Sequence, residues 1–115
     1  MIELDQDTFA EFVAEALAEI PAQLAAMMDN VDVLIEDQHD TEPDLLGLYE
    51  GIPLTERGDT YAGALPDRIM IYRLPILEMC DTVFEVVDEV RITVIHEVAH
   101  HFGIDDEALH DLGWG

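Results

Sequence analysis

His96-Glu97-Val98-Ala99-His100 places two imidazoles four residues apart. On an α-helix that spacing stacks both on one face, where they can converge on a single cation. Zinc suits such donors, because it takes imidazole nitrogen at about 2.0–2.1 Å in a tetrahedral arrangement. Glu97 stands about 100° round the helix from His96 and can lean over an open coordination position to accept a proton from metal-bound water. Gly103 follows three residues after His100, and Asp106 three after that. Glycine lets the chain leave the helix in a conformation other residues resist. The turn can then bring the Asp106 carboxylate back toward the same ion. Two histidines and one carboxylate leave a fourth position for water, which marks a catalytic rather than a structural site. The expected cofactor is therefore one Zn2+. Asp105 is the main rival to Asp106, with Glu107 and His110 weaker ones.

The pentad alone would arise in roughly two of a hundred chains of this composition. Requiring Gly103 and an acid or histidine at 106 lowers that to roughly two in ten thousand, so the extended spacing carries the reading.

The pentad needs a helix, and the flanking residues supply one. Thr82-Val83-Phe84-Glu85 has capping-box spacing and opens a helix that runs to Gly103, a left-handed stop. By the 3.6-residue period Val87, Val90, Val94, Ile95, Val98 and Phe102 lie opposite His96, so that face is expected to meet the core. Glu89, Thr93 and Gly103 share the histidine face, with Ile92 at its border.

Upstream, Asp5 or Asp7 caps a first helix whose apolar positions run from Phe9 to Ile20. Pro21 breaks it or starts a second short helix through Met28. Val31–Glu36 reads as a strand, residues 37–44 as an acidic loop and Leu45–Tyr49 as a short strand. An irregular stretch from Gly51 to Pro66 precedes a strand at Arg68–Leu74 and a helical turn from Pro75 to Cys80. A last helix is expected at Asp106–Leu112. The pattern is an α+β layer, one domain over residues 1–115, with a short mixed sheet packed on the long helix.

Composition removes other chemistries. The 115 residues carry 27 acids against four basic side chains, a formal charge of −23. Arg57, Arg68, Arg73 and Arg91 are too scattered to form a phosphate-neutralising patch, so nucleic acid is not an expected partner. An anionic membrane surface is disfavoured for the same reason. The chain has no serine and no lysine, which excludes serine-nucleophile hydrolysis, a Schiff base and a Walker-type phosphate loop. The single Cys80 sits in an apolar stretch that raises its pKa, so it is not expected to be a nucleophile. The acidic start, Met1 to Asp5, is unlike a signal peptide, and no run approaches the roughly 20 apolar residues of a membrane span. A cytoplasmic location is the expectation.

His96 to Asp106 resembles the extended zincin motif with aspartate as third ligand, and Leu46-Gly47-Leu48-Tyr49-Glu50-Gly51-Ile52-Pro53-Leu54-Thr55-Glu56-Arg57-Gly58 resembles a second segment of the same family. The family is a bacterial group of very small metallopeptidases, described as zincin-like or as a minimal matrix-metalloprotease-like domain. The likeness runs from about Phe9 onward. It implies a stripped zincin fold in which His96, His100 and Asp106 hold zinc and Glu97 is the general base. No methionine follows Asp106, so the methionine-bearing turn of larger metzincins is not expected.

A peptide or protein substrate is implied, added as a strand along a sheet edge, with Leu46–Tyr49 the candidate edge. The alternative is a non-catalytic metal-binding interaction module that keeps the site without proteolysis. His101 points about 100° from His100 and is expected to be a supporting or surface residue rather than a ligand. Tyr49, Tyr61 and Tyr72 are expected at core edges with solvated hydroxyls, and His39 is expected to be exposed.

Overall fold

The computed structural model describes residues 2–58, 65–104 and 107–108. Helix α1 spans Gln6–Ala18, and the Asp5 carboxylate accepts the Thr8 N–H at 2.8 Å as its N-cap. After Pro21 the chain makes one further turn, α2, Ala22–Ala25. Strands β1 (Val31–Glu36), β2 (Gly47–Glu50) and β3 (Asp67–Tyr72) follow, with a 3-10 turn at Leu54–Glu56 between the last two. Helices α3 (Arg73–Glu78) and α4 (Val83–His101) follow β3.

The sheet order is β1-β3-β2, with β1 parallel and β2 antiparallel to β3. The expected minimal zincin layer, a short mixed sheet on a long helix, is what the chain forms. Strand β2 is shifted later than expected, and β3 ends at Tyr72 rather than Leu74 because α3 begins at Arg73. Pro75 is tolerated there since a helix's first turn leaves its N–H groups without intrahelical partners. Glu107 and Ala108 are helical, but the rest of the expected Asp106–Leu112 helix lies outside the described residues.

The capping box of α4 forms as expected. Thr82 Oγ1 accepts the Glu85 N–H at 3.1 Å, and Glu85 Oε1 accepts the Thr82 N–H at 3.1 Å. The core face departs from expectation. Val90, Val94 and Val98 are buried, and so is Phe102, but Val87 and Ile95 are only half-buried, while Val86, Thr93, Glu97, Ala99 and His101 are buried. The reason is that α4 is covered on two sides, by α1 and by β2 and β3. Phe9, Val13 and Ala16 of α1 join Ile69 and Ile71 of β3 and the α4 valines in one core. A periodicity argument assumes one buried stripe. Here a second row, Thr93-Glu97-His101 at four-residue spacing, is pressed against the sheet.

Candidate metal centre

His96, Glu97 and His100 come together on α4, with one ligand atom of each lying within 4.8 Å of the others. The rings of His96 and His100 stand 4.8 Å apart, centroid to centroid, with their planes at 72°. Both histidines are half-buried, whereas Glu97 is only 7% exposed. Glu97 Oε1 lies 3.2 Å from His100 Nδ1. A cleft of about 270 Å3 adjoins the cluster, lined by Leu46 and Gly47 from the strand side and by Glu89, Ile92 and Thr93 from the helix.

Strand β2 sets how closely the helix approaches. A β-carbon on Gly47 would stand 2.7 Å from Thr93 Cγ2 and 3.2 Å from both Glu97 Cγ and Glu97 Oε2. The absence of a side chain at 47 is therefore what admits the Glu97 carboxylate between helix and sheet. Two residues on, Tyr49 faces the same side and its ring lies 6.4 Å from that of His100 and 6.1 Å from that of His101.

Behind the cluster lies a buried polar network centred on Asp67. Its carboxylate accepts the Tyr49 hydroxyl, the Ile52 N–H at 3.1 Å, Arg57 Nη2 at 2.8 Å and His101 Nδ1 at 3.1 Å. Burial alone would raise the Asp67 pKa, but these donors outweigh it and hold the carboxyl below its ordinary 3.8. His101 Nε2 accepts the Asp29 N–H at 3.3 Å, so Nδ1 carries the proton that Asp67 receives. Burial, the largest influence, keeps the His101 pKa below 6.5 against the opposing pull of Asp67. His101 is thus a neutral, fully buried tie rather than a surface group.

Arg57 extends the network outward. Its guanidinium also donates to the Asp29 carbonyl at 3.0 Å and to the Asp29 carboxylate at 3.1 Å, and its Nε donates to the Ile52 carbonyl at 2.9 Å. The segment 46–58 is thereby folded over the end of α4. Gly51 adopts φ +147°, and a β-carbon there would collide with the Asp67 carboxylate. Gly103 adopts φ +79°, the left-handed exit expected of it, and Thr55 sits where its β-carbon would be.

Asp106 lies outside the described residues, as do its rivals Asp105 and His110, while Glu107 is exposed. Tyr49 corrects the expectation of a solvated hydroxyl at a core edge, since it donates that hydroxyl to Asp67. Tyr72 is largely buried on the opposite face of the sheet, its ring 5.8 Å from that of His39, and it lines an open hollow there. His39 is half-buried rather than exposed, and its Nδ1 accepts the N–H groups of Thr41 and Glu42. Tyr61 lies outside the described residues. Cys80 is buried, and burial raises its pKa with help from nearby acids, as expected of an inert thiol. Gly47, Asp67 and the clamping role of Arg57 were not anticipated. Arg57 and Gly47 stand within the segment 46–58, whose pattern was the one signal available, whereas Asp67 is one acid among 27.

A profile of zincin-like metallopeptidases matches residues 28–114, which include both the segment 46–58 and the histidine pentad. The chain belongs to the zincin-like metallopeptidase family. A solved structure of a conserved hypothetical protein from T. thermophilus is similar at 25% identity and a TM-score of 0.58, over 95% of this chain and 97% of that one. No curated protein matches the chain. The family implies a metal, and the donor set fits one. Two imidazoles on one helical face beside an open cleft are ligands that zinc accepts. Among the described residues no helix is long and apolar enough to cross a membrane.

Proposed function

We propose that this zincin-like domain is a zinc-dependent peptidase that holds one zinc ion through His96, His100 and Asp106. The observation that carries the reading is the convergence of His96, Glu97 and His100 beside an open cleft. Bound zinc would supply an acidified water and a Lewis acid at the substrate carbonyl. His96 and His100 would hold the ion from successive turns of α4. Glu97, seated between α4 and Gly47, accepts the proton of the attacking water on its carboxylate and delivers it to the leaving amine. The sheet supports the substrate side of the reading. Among the described residues β2 is an edge strand, and it borders the cleft through Gly47, so an extended peptide could add to it by main-chain hydrogen bonds.

The test is metal analysis of the purified chain beside a His100→Ala control, followed by digestion of a peptide library. Glu97→Gln should keep the metal and abolish cleavage. Undiminished cleavage by that variant would overturn the mechanism. Metal without cleavage of any peptide would favour the non-catalytic module instead.

A further inference from the structure

We infer that the cleft selects peptides carrying a basic side chain two to three positions from the bond cut, the charge being met by Glu89. This rests on the peptidase reading above. Glu89, Ile92, Thr93 and His96 follow one face of α4 at spacings of three, four and seven residues, and all line the cleft. Seven residues are two turns, so Glu89 stands about 10 Å along the helix from His96. An extended peptide covers that in about three residues. Between the two ends the lining is mostly apolar, with Ile92 58% exposed and Leu46 across from the helix, a surface suited to the methylene stem of arginine or lysine.

The charge pattern points the same way. Leu46 also lines a second hollow, with Pro75 and Met79 and the acids Asp44 and Glu78, so acidic and apolar character is found on the far side of Leu46 as well. No arginine lines either hollow. The four guanidiniums are engaged elsewhere: Arg57 with Asp29 and Asp67, Arg68 with Glu50, Arg73 with Asp37, and Arg91 with Glu19 and Asp88. Glu89, Asp44 and Glu78 thus have no arginine partner among the described residues. A cationic side chain laid along this groove meets carboxylates and no competing guanidinium.

The test uses the full zinc-loaded chain and two labelled peptides, one with an Arg-Leu-Arg run and one with citrulline in place of arginine, which keeps the shape and removes the charge. Cleavage by the wild-type chain and binding to Glu97→Gln are both measured. The expected result is a preference of roughly fivefold for the arginine peptide, falling with added salt. Glu89→Gln should bring the ratio close to one, while Glu15→Gln, an exposed acid of α1 outside both hollows, should leave it unchanged. Cleavage of both peptides at equal rates, or an equal effect of Glu15→Gln, overturns the selectivity and leaves the peptidase reading standing. Binding of the arginine peptide that depends on Glu89, without cleavage of any peptide, supports the groove and overturns the peptidase. Neither binding nor cleavage overturns both.

Discussion

His101 Nδ1 lies 3.1 Å from Asp67 Oδ2, which ties the last turn of the site helix to the first residue of the central strand. Because Asp67 also receives Tyr49 and Arg57, one carboxylate anchors β2, the segment 46–58 and α4 together. The histidine next in sequence to a metal-ligand candidate therefore works inward, on the frame, rather than outward at the ion.

Asp67→Asn removes the carboxylate facing a guanidinium whose side chain is only 9% exposed. The expected loss at neutral pH is about 3 kcal/mol, near the lower end for a broken buried pair because Asp29 still contacts Arg57. Urea unfolding measures it. The Asp67 pKa is lowered in the folded state, so its contribution is fully present above 3.8 and is lost as the pH falls through the folded value. The stability difference between wild type and variant should shrink over that acid range and stay flat above it.

Gly47→Ala introduces a methyl against Thr93 and Glu97. The expected cost in stability is about 1–3 kcal/mol from overpacking, and turnover should fall about 100-fold as the carboxylate is displaced. Thr93→Ser, added to this variant, removes the 2.7 Å overlap at Cγ2 but not the approach to Glu97. The double variant should regain stability without regaining activity, read by thermal unfolding beside a peptide-cleavage assay.

Gly103→Ala forces a side chain into φ +79° and against Thr55. The strain is worth about 1–3 kcal/mol. Zinc affinity should drop as well, since the turn that leads toward Asp106 must move. Thr55→Ala should relieve the collision but not the backbone strain, so rescue measured by competition with a chromophoric chelator is expected to be partial.

Zinc at a hundredfold excess over its dissociation constant should stabilise the chain by about 2.7 kcal/mol, and a chelator should remove that gain. His100→Ala should show neither effect, which calorimetry with and without metal checks. A metal-induced shift that survives in His100→Ala would place the ion elsewhere.

Much of the site was legible in the sequence because it is local. The spacing of His96, Glu97 and His100 becomes geometry as soon as the segment is a helix, and the Thr82–Glu85 box with the left-handed Gly103 sets that helix's ends. The capped first helix and the strands were legible for the same reason, through short-range periodicity. The face of α4 that would be buried was less legible. Val87 and Ile95 fit the period but lie at the margin, while Thr93 and Glu97 are polar and yet covered.

The meeting of His96, Glu97 and His100 was thus determined by the sequence alone, since neighbours four residues apart need nothing beyond one helix to meet. Which groups hold that helix against the sheet was decided only in three dimensions. Asp67 is 34 residues from His101 along the chain, and Gly47 faces Glu97 across two elements. Such pairings depend on strand order and on the closeness of packing, and no residue type or spacing encodes them before the chain has folded.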